Sequence, residues 1–334
     1  MRVGTGAHTY EWIENWARIP DTASAREGWA HHALAVTSGG DIVGSHPGDP
    51  LVLFFDGDGN ITRSWDGDLT EAHGVVAVKE GANDYLWIAD QGSKRIPEGG
   101  YQYVNDTKGW QVVKKTLTGQ TLQSLAKPDL PIYREGRYAP TWVAVNEERF
   151  GGNGDVWVTD GYGQYLVHRF TRTGEYLSSI SGLEGKAGAF KTPHSIWIDH
   201  RTSEPELYVA DRTNGRVQVY DLDGRYKRVF GADFLTSPSG FAVAGDDLII
   251  GELRARVTIV DRDDNLICHL GGNEAVCSVE GWPNVKNERG EPTRTPLLEV
   301  GKFNSPHGIT ADAAGNIYVS EWLIGGRFIK LAKV

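Results

Sequence analysis

Residues 190 to 230 read FKTPHSIWIDHRTSEPELYVADRTNGRVQVYDLDGRYKRVF, and their order of strand-like runs and turns recurs along the chain. The runs are SIWID, LYVAD, RVQVY and a last run over residues 225–230. Asn214-Gly215 separates the second run from the third, and Asp223-Gly224 separates the third from the last. Asn-Gly and Asp-Gly pairs between such runs are a strong signal of antiparallel hairpins. The stretch therefore predicts a four-stranded antiparallel meander, which repeats with a period of about 40 residues.

Six such units can be recognised, and they cover most of the sequence. They span residues 29–65, 69–125, 138–180, 190–230, 235–273 and 303–334. The sixth unit stops after its third strand, whereas residues 8–18 contain strand-like aromatics without a partner of their own. We therefore predict an all-β protein, a single six-bladed β-propeller domain over residues 1–334, whose N-terminal strand closes the ring.

Two insertions interrupt the period, at residues 96–110 and 273–302, and both are rich in turn residues. Long connections in compact domains are either tolerated decoration or walls of a functional site. The sequence predicts surface loops here and leaves these two interpretations open.

The composition excludes several classes of protein. A formal charge of −10 without a basic run disfavours a nucleic-acid partner, because phosphate binding requires clustered positive charge. Two cysteines cannot form a disulfide framework, and the chain has neither an 18-residue apolar run nor a signal-like N-terminus. These features predict a cytoplasmic protein without a membrane partner. As the partner of the protein we expect a small-molecule substrate.

Histidines recur where the first strand of a blade begins. In a propeller the first strands line the central channel, so equivalent positions converge on the axis. From the first to the sixth unit these positions hold His31 or His32, His73, Thr141, His194, Ser239 and His307. The histidines of the second, fourth and sixth units lie on alternate blades and would surround one axial point.

Three imidazoles around one point are typical of a catalytic zinc site, which keeps a fourth position open. Iron, manganese, cobalt and nickel accept the same ligands. Each histidine taken singly could instead cap a turn or form a hydrogen bond in the core. Because the spacing is correlated, we favour His73, His194 and His307 as ligands of one divalent metal, most simply Zn²⁺.

The turns after the second strands open on the same side of the predicted ring. Tyr162 and Arg212 lie in two of them, just after Asp160 and Asp211. A tyrosine near a divalent cation can act as a base, and arginine can hold a carboxylate. Ring stacking for Tyr162 and a salt bridge for Arg212 are the alternative roles. Asp-Gly stretches such as residues 56–59 and 221–224 lack the final glutamate of a calcium loop and indicate hairpin turns instead.

The motifs together resemble an NHL-repeat propeller of the peptidyl-α-hydroxyglycine α-amidating lyase family. The resemblance covers all six units and is strongest in AHGVVAV, VWVTDGY, PHSIWID, LYVADRTNGRVQVY and SPHGITADAAGNIYV. It implies that His73, His194 and His307 bind zinc, that Tyr162 is the catalytic base, and that Arg212 completes the site.

Two positions depart from that family. Where its first blade has an arginine between histidine and glycine, this chain has Pro47 within His46-Pro47-Gly48-Asp49. The family's last histidine is followed by an aspartate associated with calcium, whereas Gly308 follows His307 here, which disfavours Ca²⁺. The metal and the base are retained, but the substrate anchor differs.

Three functions follow as hypotheses. The first is a metal-dependent lyase that cleaves a carbon–heteroatom bond in a small hydroxylated substrate. The second is a metal-dependent hydrolase or lactonase on the same propeller, and the third is a non-catalytic NHL interaction propeller. The roles of His31, His32 and His46 stay open at this stage.

Overall fold

The first five sequence repeats each form a four-stranded antiparallel sheet, and the sixth contributes three strands to a five-stranded sheet. The six sheets make up a β-propeller. The computed structural model describes residues 1–48, 50–105 and 108–334. The first strands of successive blades contact one another, including those of blades 6 and 1, so the blades form a closed ring around a channel. The predicted fold class is confirmed.

The strands of each blade follow in chain order from the channel outward. Blade 1 consists of Leu34–Val36, Ile42–Ser45, Val52–Phe55 and Ile61–Trp65, and blade 2 of Ala72–Glu80, Asn83–Asp90, Gln111–Thr116 and Thr121–Ser124. Blade 3 consists of Trp142–Val145, Val156–Thr159, Val167–Phe170 and Tyr176–Ile180, and blade 4 of Pro193–Asp199, Glu206–Asp211, Arg216–Tyr220 and Tyr226–Phe230. Blade 5 consists of Pro238–Ala244, Asp247–Glu252, Arg256–Val260 and Leu266–Leu270, and blade 6 begins with Pro306–Ala311, Ile317–Glu321 and Arg327–Lys333.

The N-terminal segment completes blade 6, as the sequence predicts. Strand His8–Ile13 pairs with Arg327–Lys333, and strand Arg2–Thr5 adds a fifth strand outside it. The expected strand over residues 8–18 ends at Ile13, because Asn15 adopts a positive φ of 49° that a strand cannot continue. Trp16 instead packs against Phe55 and Tyr318, with ring centroids 5.5 and 4.7 Å apart.

Aromatic residues in the second strands bind neighbouring blades together. They are completely or almost completely buried, and each packs against the following blade: Trp87, Trp157, Tyr208 and Tyr318. An aromatic side chain buries 150–250 Å², or about 4 to 6 kcal/mol of transfer free energy. The repeated aromatic position therefore stabilises the contacts between blades.

A buried carboxylate ends the second strand in five blades. These residues are Asp90, Asp160, Asp211, Glu252 and Glu321. Each accepts a backbone N–H from the segment that leads into its own first strand, as in Thr70 N to Asp90 at 2.6 Å and Ala139 N to Asp160 at 2.7 Å. In blade 1 the Ser45 hydroxyl accepts from Ala33 N at 2.7 Å. These bonds hold the start of each first strand in place at the channel.

The insertions contain more regular structure than the predicted loops. Residues 96–110 include the 3-10 helix Pro97–Gly99 and strand Tyr103–Asn105, which pairs with Ser93–Arg95. Asp106 and Thr107 of this insertion, and Asp49 of the first-blade turn, lie outside the described residues. Residues 273–302 hold the 3-10 helix Glu274–Ser278 and a hairpin of Val285–Lys286 with Pro292–Thr293.

The remaining helices are short. They are the α-helix Ala23–Glu27 and the 3-10 helices Pro131–Tyr133, Glu148–Phe150 and Arg212–Asn214. None of the helices in the described part of the chain has the length and apolar character required to cross a bilayer. Cys268 and Cys277 are both free thiols.

Candidate functional site

The imidazoles of His73, His194 and His307 meet on the channel axis. They belong to the first strands of blades 2, 4 and 6, and no more than 1% of any of the three residues is exposed. Their ring centroids lie 4.8 to 5.0 Å apart. The structure thus brings together the three histidines that the repeat spacing selects.

Each of these histidines is oriented by the following blade. The Nδ1 atoms lie 2.8 Å from Thr141 O for His73, 2.7 Å from Ser239 O for His194, and 3.2 Å from His32 O for His307. A carbonyl oxygen can only accept, so each Nδ1 carries the proton and each Nε2 keeps its lone pair. Blades 1, 3 and 5 therefore fix the tautomer of the imidazoles on blades 2, 4 and 6.

Glycine after two of these histidines permits this close contact between blades. A Cβ atom on Gly74 would lie 2.4 Å from Thr141 O, and one on Gly308 would lie 2.4 Å from His32 O. These are the carbonyls that hold His73 and His307. An aspartate in place of Gly308 would therefore disrupt the contact, and this chain has no room for the calcium-associated side chain of the lyase family.

A fourth histidine joins the cluster. The ring of His31 lies 4.5 Å from that of His73 and 4.9 Å from that of His307, and His31 is 3% exposed. Among the described residues, the ligand atoms of His31, His73 and His307 lie within 4.8 Å of one another and could hold a metal ion. That group contains His31 and not His194, although the ring of His194 also contacts His73 and His307.

The structure separates the three histidines whose roles the sequence left open. The ring of His32 contacts Phe328, with centroids 5.2 Å apart, and burial lowers its pKa to about 3. His46 Nδ1 lies 2.6 Å from the carbonyl of Gly48. Of these residues, His31 is the one whose ring contacts the axial imidazoles.

Tyr162 and Arg212 both reach the cluster, as their turns predict. Tyr162 Oη lies 3.3 Å from Nε2 of His73, 3.1 Å from Nε2 of His194 and 3.4 Å from Nε2 of His31. Arg212 Nη1 donates to the same oxygen at 3.3 Å, and its guanidinium carbon lies 5.3 Å from the phenol ring centroid. Burial raises the pKa of Tyr162, and the positive charge of Arg212 opposes that rise.

More acceptors than donors converge on the axis. Tyr162 has one hydroxyl proton, which can satisfy only one of the three Nε2 atoms that surround it. Nε2 of His307 is buried and has no hydrogen-bond partner within the described part of the chain. Burial also lowers the pKa of His73, His194 and His307 well below the ordinary value, which keeps these imidazoles neutral. Neutral imidazoles with inward lone pairs fit a divalent transition metal.

A cavity of about 260 Å³ opens over the histidines. Its wall includes the aromatic residues Tyr103, Tyr162 and Trp322 and the guanidinium groups of Arg137 and Arg212. The described residues that line it include no aspartate or glutamate, although the chain carries a formal charge of −10. The cavity therefore has the size and the charge to receive a small anionic molecule.

Sequence reasoning missed several residues of this cavity. Tyr103 belongs to the insertion 96–110, so that insertion does form part of the wall. Arg137 precedes blade 3. Trp322 follows the second strand of blade 6, in the turn whose sequence is SEWLIGG. The position of Trp322 after a second strand was a usable signal. Pro47 lies against Gly28 and is not among the described lining residues.

A larger cavity, of about 400 Å³, lies where the first strands end. Its lining includes the apolar residues Val143, Ile196 and Trp197. Its charged residues include Arg201, which donates to Asp199 at 2.9 Å. Its charged side chains form ion pairs with one another, whereas the group of described residues that could hold a metal ion lies at the other opening, so we place the candidate site at the histidine end.

Comparison with known proteins supports the architecture. No protein-family model matches the chain. Human NHL repeat-containing protein 3 is 28% identical over 63% of this chain, and the mouse protein is 27% identical over 84% of this chain. These matches span 58% and 72% of the two relatives. Peptidyl-α-hydroxyglycine α-amidating lyase 1 of Drosophila melanogaster is 28% identical over 54% of this chain and 33% of its own length.

Solved structures share the fold at low identity. A streptogramin B lyase matches with a TM-score of 0.56 and 12% identity, over 96% of this chain and 97% of its own. A gluconolactonase from Xanthomonas campestris matches with a TM-score of 0.56 and 15% identity, over 92% of this chain and 88% of its own. With the six blades, these findings support an NHL-repeat propeller that resembles the amidating lyase.

Proposed function

We propose that this protein is a metal-dependent lyase that cleaves a carbon–heteroatom bond next to a hydroxyl group in a small anionic substrate. The observation that carries the proposal is the convergence of three Nε2 atoms on one tyrosine hydroxyl, beside the partnerless Nε2 of His307, at the floor of a cavity with two arginines. Unpaired buried acceptors are costly unless a ligand satisfies them.

His73, His194 and His307 would hold the metal, with Zn²⁺ as the first candidate. Their Nδ1 protons are engaged by backbone carbonyls, and such partners orient a metal-binding imidazole. When bound, a divalent metal supplies Lewis-acid polarisation of a substrate oxygen. The low pKa of each imidazole keeps its lone pair available at neutral pH.

Tyr162 would move the proton. Burial raises the pKa of its phenol, and the positive charge of Arg212 opposes that rise. Only the phenolate form can accept a proton, and a bound divalent metal together with Arg212 would stabilise that form. As the phenolate, Tyr162 Oη would accept the substrate hydroxyl proton and return it to the departing heteroatom. In this reaction the O–H and carbon–heteroatom bonds break, a C=O bond forms, and the heteroatom leaves with the proton.

Arg212 would orient the anionic end of the substrate. Its guanidinium contacts Tyr162 Oη, so an anion bound to its other nitrogen atoms would lie close to the proton-transfer oxygen. Arg137 contributes a second positive charge at the cavity wall. A carboxylate bound between them would take the place of the anchor that Pro47 cannot provide.

The test uses an N-acylated α-hydroxyglycine in heavy-oxygen water, with elemental analysis of the purified protein. A lyase releases the primary amide without solvent oxygen and faster than the uncatalysed reaction. A hydrolase would release a carboxylic acid that contains solvent oxygen, and that product would replace the lyase assignment by the hydrolase. A protein without a divalent metal and without turnover would support the interaction propeller instead.

A further inference from the structure

The axial cluster contains four histidines, although the repeat spacing selects only three. His73 and His307 contact each other at 4.8 Å between ring centroids, and both contact His194 and His31. His31 lies one residue before His32, whose carbonyl corresponds to those of Thr141 and Ser239 in blades 3 and 5. Blade 1 thus adds an imidazole at the position where blades 3 and 5 have Pro140 and Pro238.

Glu71 orients the additional imidazole. Nδ1 of His31 lies 3.1 Å from Glu71 Oε1, and the backbone N–H of His31 donates to the same oxygen. Gln91 Nε2 donates to Glu71 Oε2 at 2.8 Å, so the carboxylate is itself held in position. Because a carboxylate accepts, the Nδ1 of His31 carries a proton and its Nε2 faces the cluster. A carboxylate behind a histidine is a common arrangement around metal ligands.

Packing restricts the ring of His31 to this orientation. The ring is nearly parallel to that of Trp322, at 16° and 5.3 Å, and to that of Tyr103, at 6° and 6.1 Å. Its Nε2 lies 3.3 Å from Tyr103 Oη and 3.4 Å from Tyr162 Oη, the oxygen that also contacts His73 and His194. His31 therefore presents its nitrogen to the same point as the other ring nitrogens.

We propose that His31, held by Glu71, is a fourth nitrogen ligand of the axial metal ion. The inference rests on the proposed function only in requiring that His73, His194 and His307 bind an ion. A fourth imidazole would give that ion one more nitrogen ligand than a three-histidine site provides. Four imidazoles would close a tetrahedral zinc site, whereas ions with five or six ligands would keep room for a substrate. With His31 as a ligand, the first candidate would change from Zn²⁺ to Fe²⁺, Mn²⁺, Co²⁺ or Ni²⁺.

The test compares His31→Phe, Glu71→Gln and the wild-type protein after loading with Co²⁺ or Zn²⁺. Phenylalanine keeps a flat ring against Trp322 and Tyr103 but removes both nitrogens. Glu71→Gln should weaken metal binding by about 10- to 100-fold, as expected for the partner of a ligand, and His31→Phe should weaken it further. Chelator competition measures the affinities, and X-ray absorption should show one imidazole fewer on the ion in His31→Phe.

His168→Phe is the matched control, because it makes the same substitution at a buried histidine away from the axis. It should leave the affinity and the number of imidazole ligands unchanged. Equal affinity and equal imidazole number in wild type and His31→Phe would overturn the inference while the proposed function stands. If the wild type bound neither ion, the proposed function and this inference would both fail.

Discussion

Buried histidines occur in two very different settings in this molecule. Inside blade 3, His168 has hydrogen-bond partners for both ring nitrogens, with Tyr133 Oη and Ser179 Oγ each at 2.7 Å. On the channel axis, the Nδ1 atoms have partners while the Nε2 atoms of His73 and His194 share the Tyr162 hydroxyl, and that of His307 has no partner within the described residues. The histidines in both settings are buried, so burial alone does not distinguish them. The unpaired lone pairs mark the axis as a place for a ligand.

The largest expected effect comes from removing an axial imidazole. His307→Ala should lose the bound metal and detectable turnover, because His307 belongs both to the predicted ligand set and to the metal-holding group with His31 and His73. The propeller should stay folded, since each blade buries its own strands and the imidazole contributes little core area. Metal analysis and circular dichroism check the two parts. Cooperative unfolding of the variant at ambient temperature would show that His307 is structural.

Removing only the hydroxyl that the axial nitrogens share should have the next largest effect. Tyr162→Phe keeps the ring and the metal, but turnover should fall about 10²- to 10⁴-fold, the usual span for a proton-transfer group. Steady-state kinetics with a parallel metal assay measures this. Full activity with the metal still bound would contradict the role assigned to Tyr162.

A smaller loss is expected at the guanidinium beside that hydroxyl. Arg212→Lys keeps the charge but loses the planar pair of donors, and a hydrogen bond to a charged group contributes about 1.5 to 3 kcal/mol. The value of kcat/KM should therefore fall by about 10- to 150-fold. A rise in KM alone would indicate contact with the bound substrate, and a fall in kcat alone would indicate contact only in the transition state. An unchanged kcat/KM would remove Arg212 from the site.

The smallest effect on metal binding and turnover is expected at His168, whose ring nitrogens both have hydrogen-bond partners. Burial lowers the pKa of His168 to about 3 in the folded protein, below its ordinary value of 6.5. The unfolded chain therefore binds this proton first, and the stability that His168 contributes is full above pH 6.5 and is lost as the pH falls toward 3. The slope from one such group is about 1.4 kcal/mol per pH unit.

His168→Phe should remove this part of the acid dependence and leave metal content unchanged. Urea unfolding of the metal-free proteins from about pH 6.5 to about pH 4 measures the difference, because the other histidines contribute equally to both proteins. Parallel curves for variant and wild type would show that His168 does not titrate on unfolding over this range.

The repeat accounts for what sequence reasoning achieved. Asn-Gly and Asp-Gly turns are local signals, so the strand order could be predicted. The closure of the ring by an N-terminal strand was also predicted, over residues 8–18, and the structure limits that strand to His8–Ile13. The same periodicity placed His73, His194 and His307 on one axis and Tyr162 and Arg212 above it. Their assignments as metal ligands and catalytic residues remain predictions, and their proximity is what the structure adds.

Two of the cavity residues that sequence reasoning missed lie where the repeat is broken. Tyr103 belongs to an insertion and Arg137 to a connection between blades, and neither has an equivalent in the other blades from which a position could be inferred. Glu71 lies two residues before His73, but its contact with His31 joins residues that are 40 positions apart. No local pattern reports such a contact.

The sequence by itself determined the blades, their order and which residues begin the channel strands, because hairpins and side-chain alternation arise from neighbouring residues. Only the tertiary structure decided that His31 rather than His32 contacts the axial cluster, and that carbonyls of one blade orient the imidazoles of the previous one. The physical reason is distance. Hydrogen bonds and ligand positions depend on separations of a few ångströms between blades, and these are established only when the ring closes.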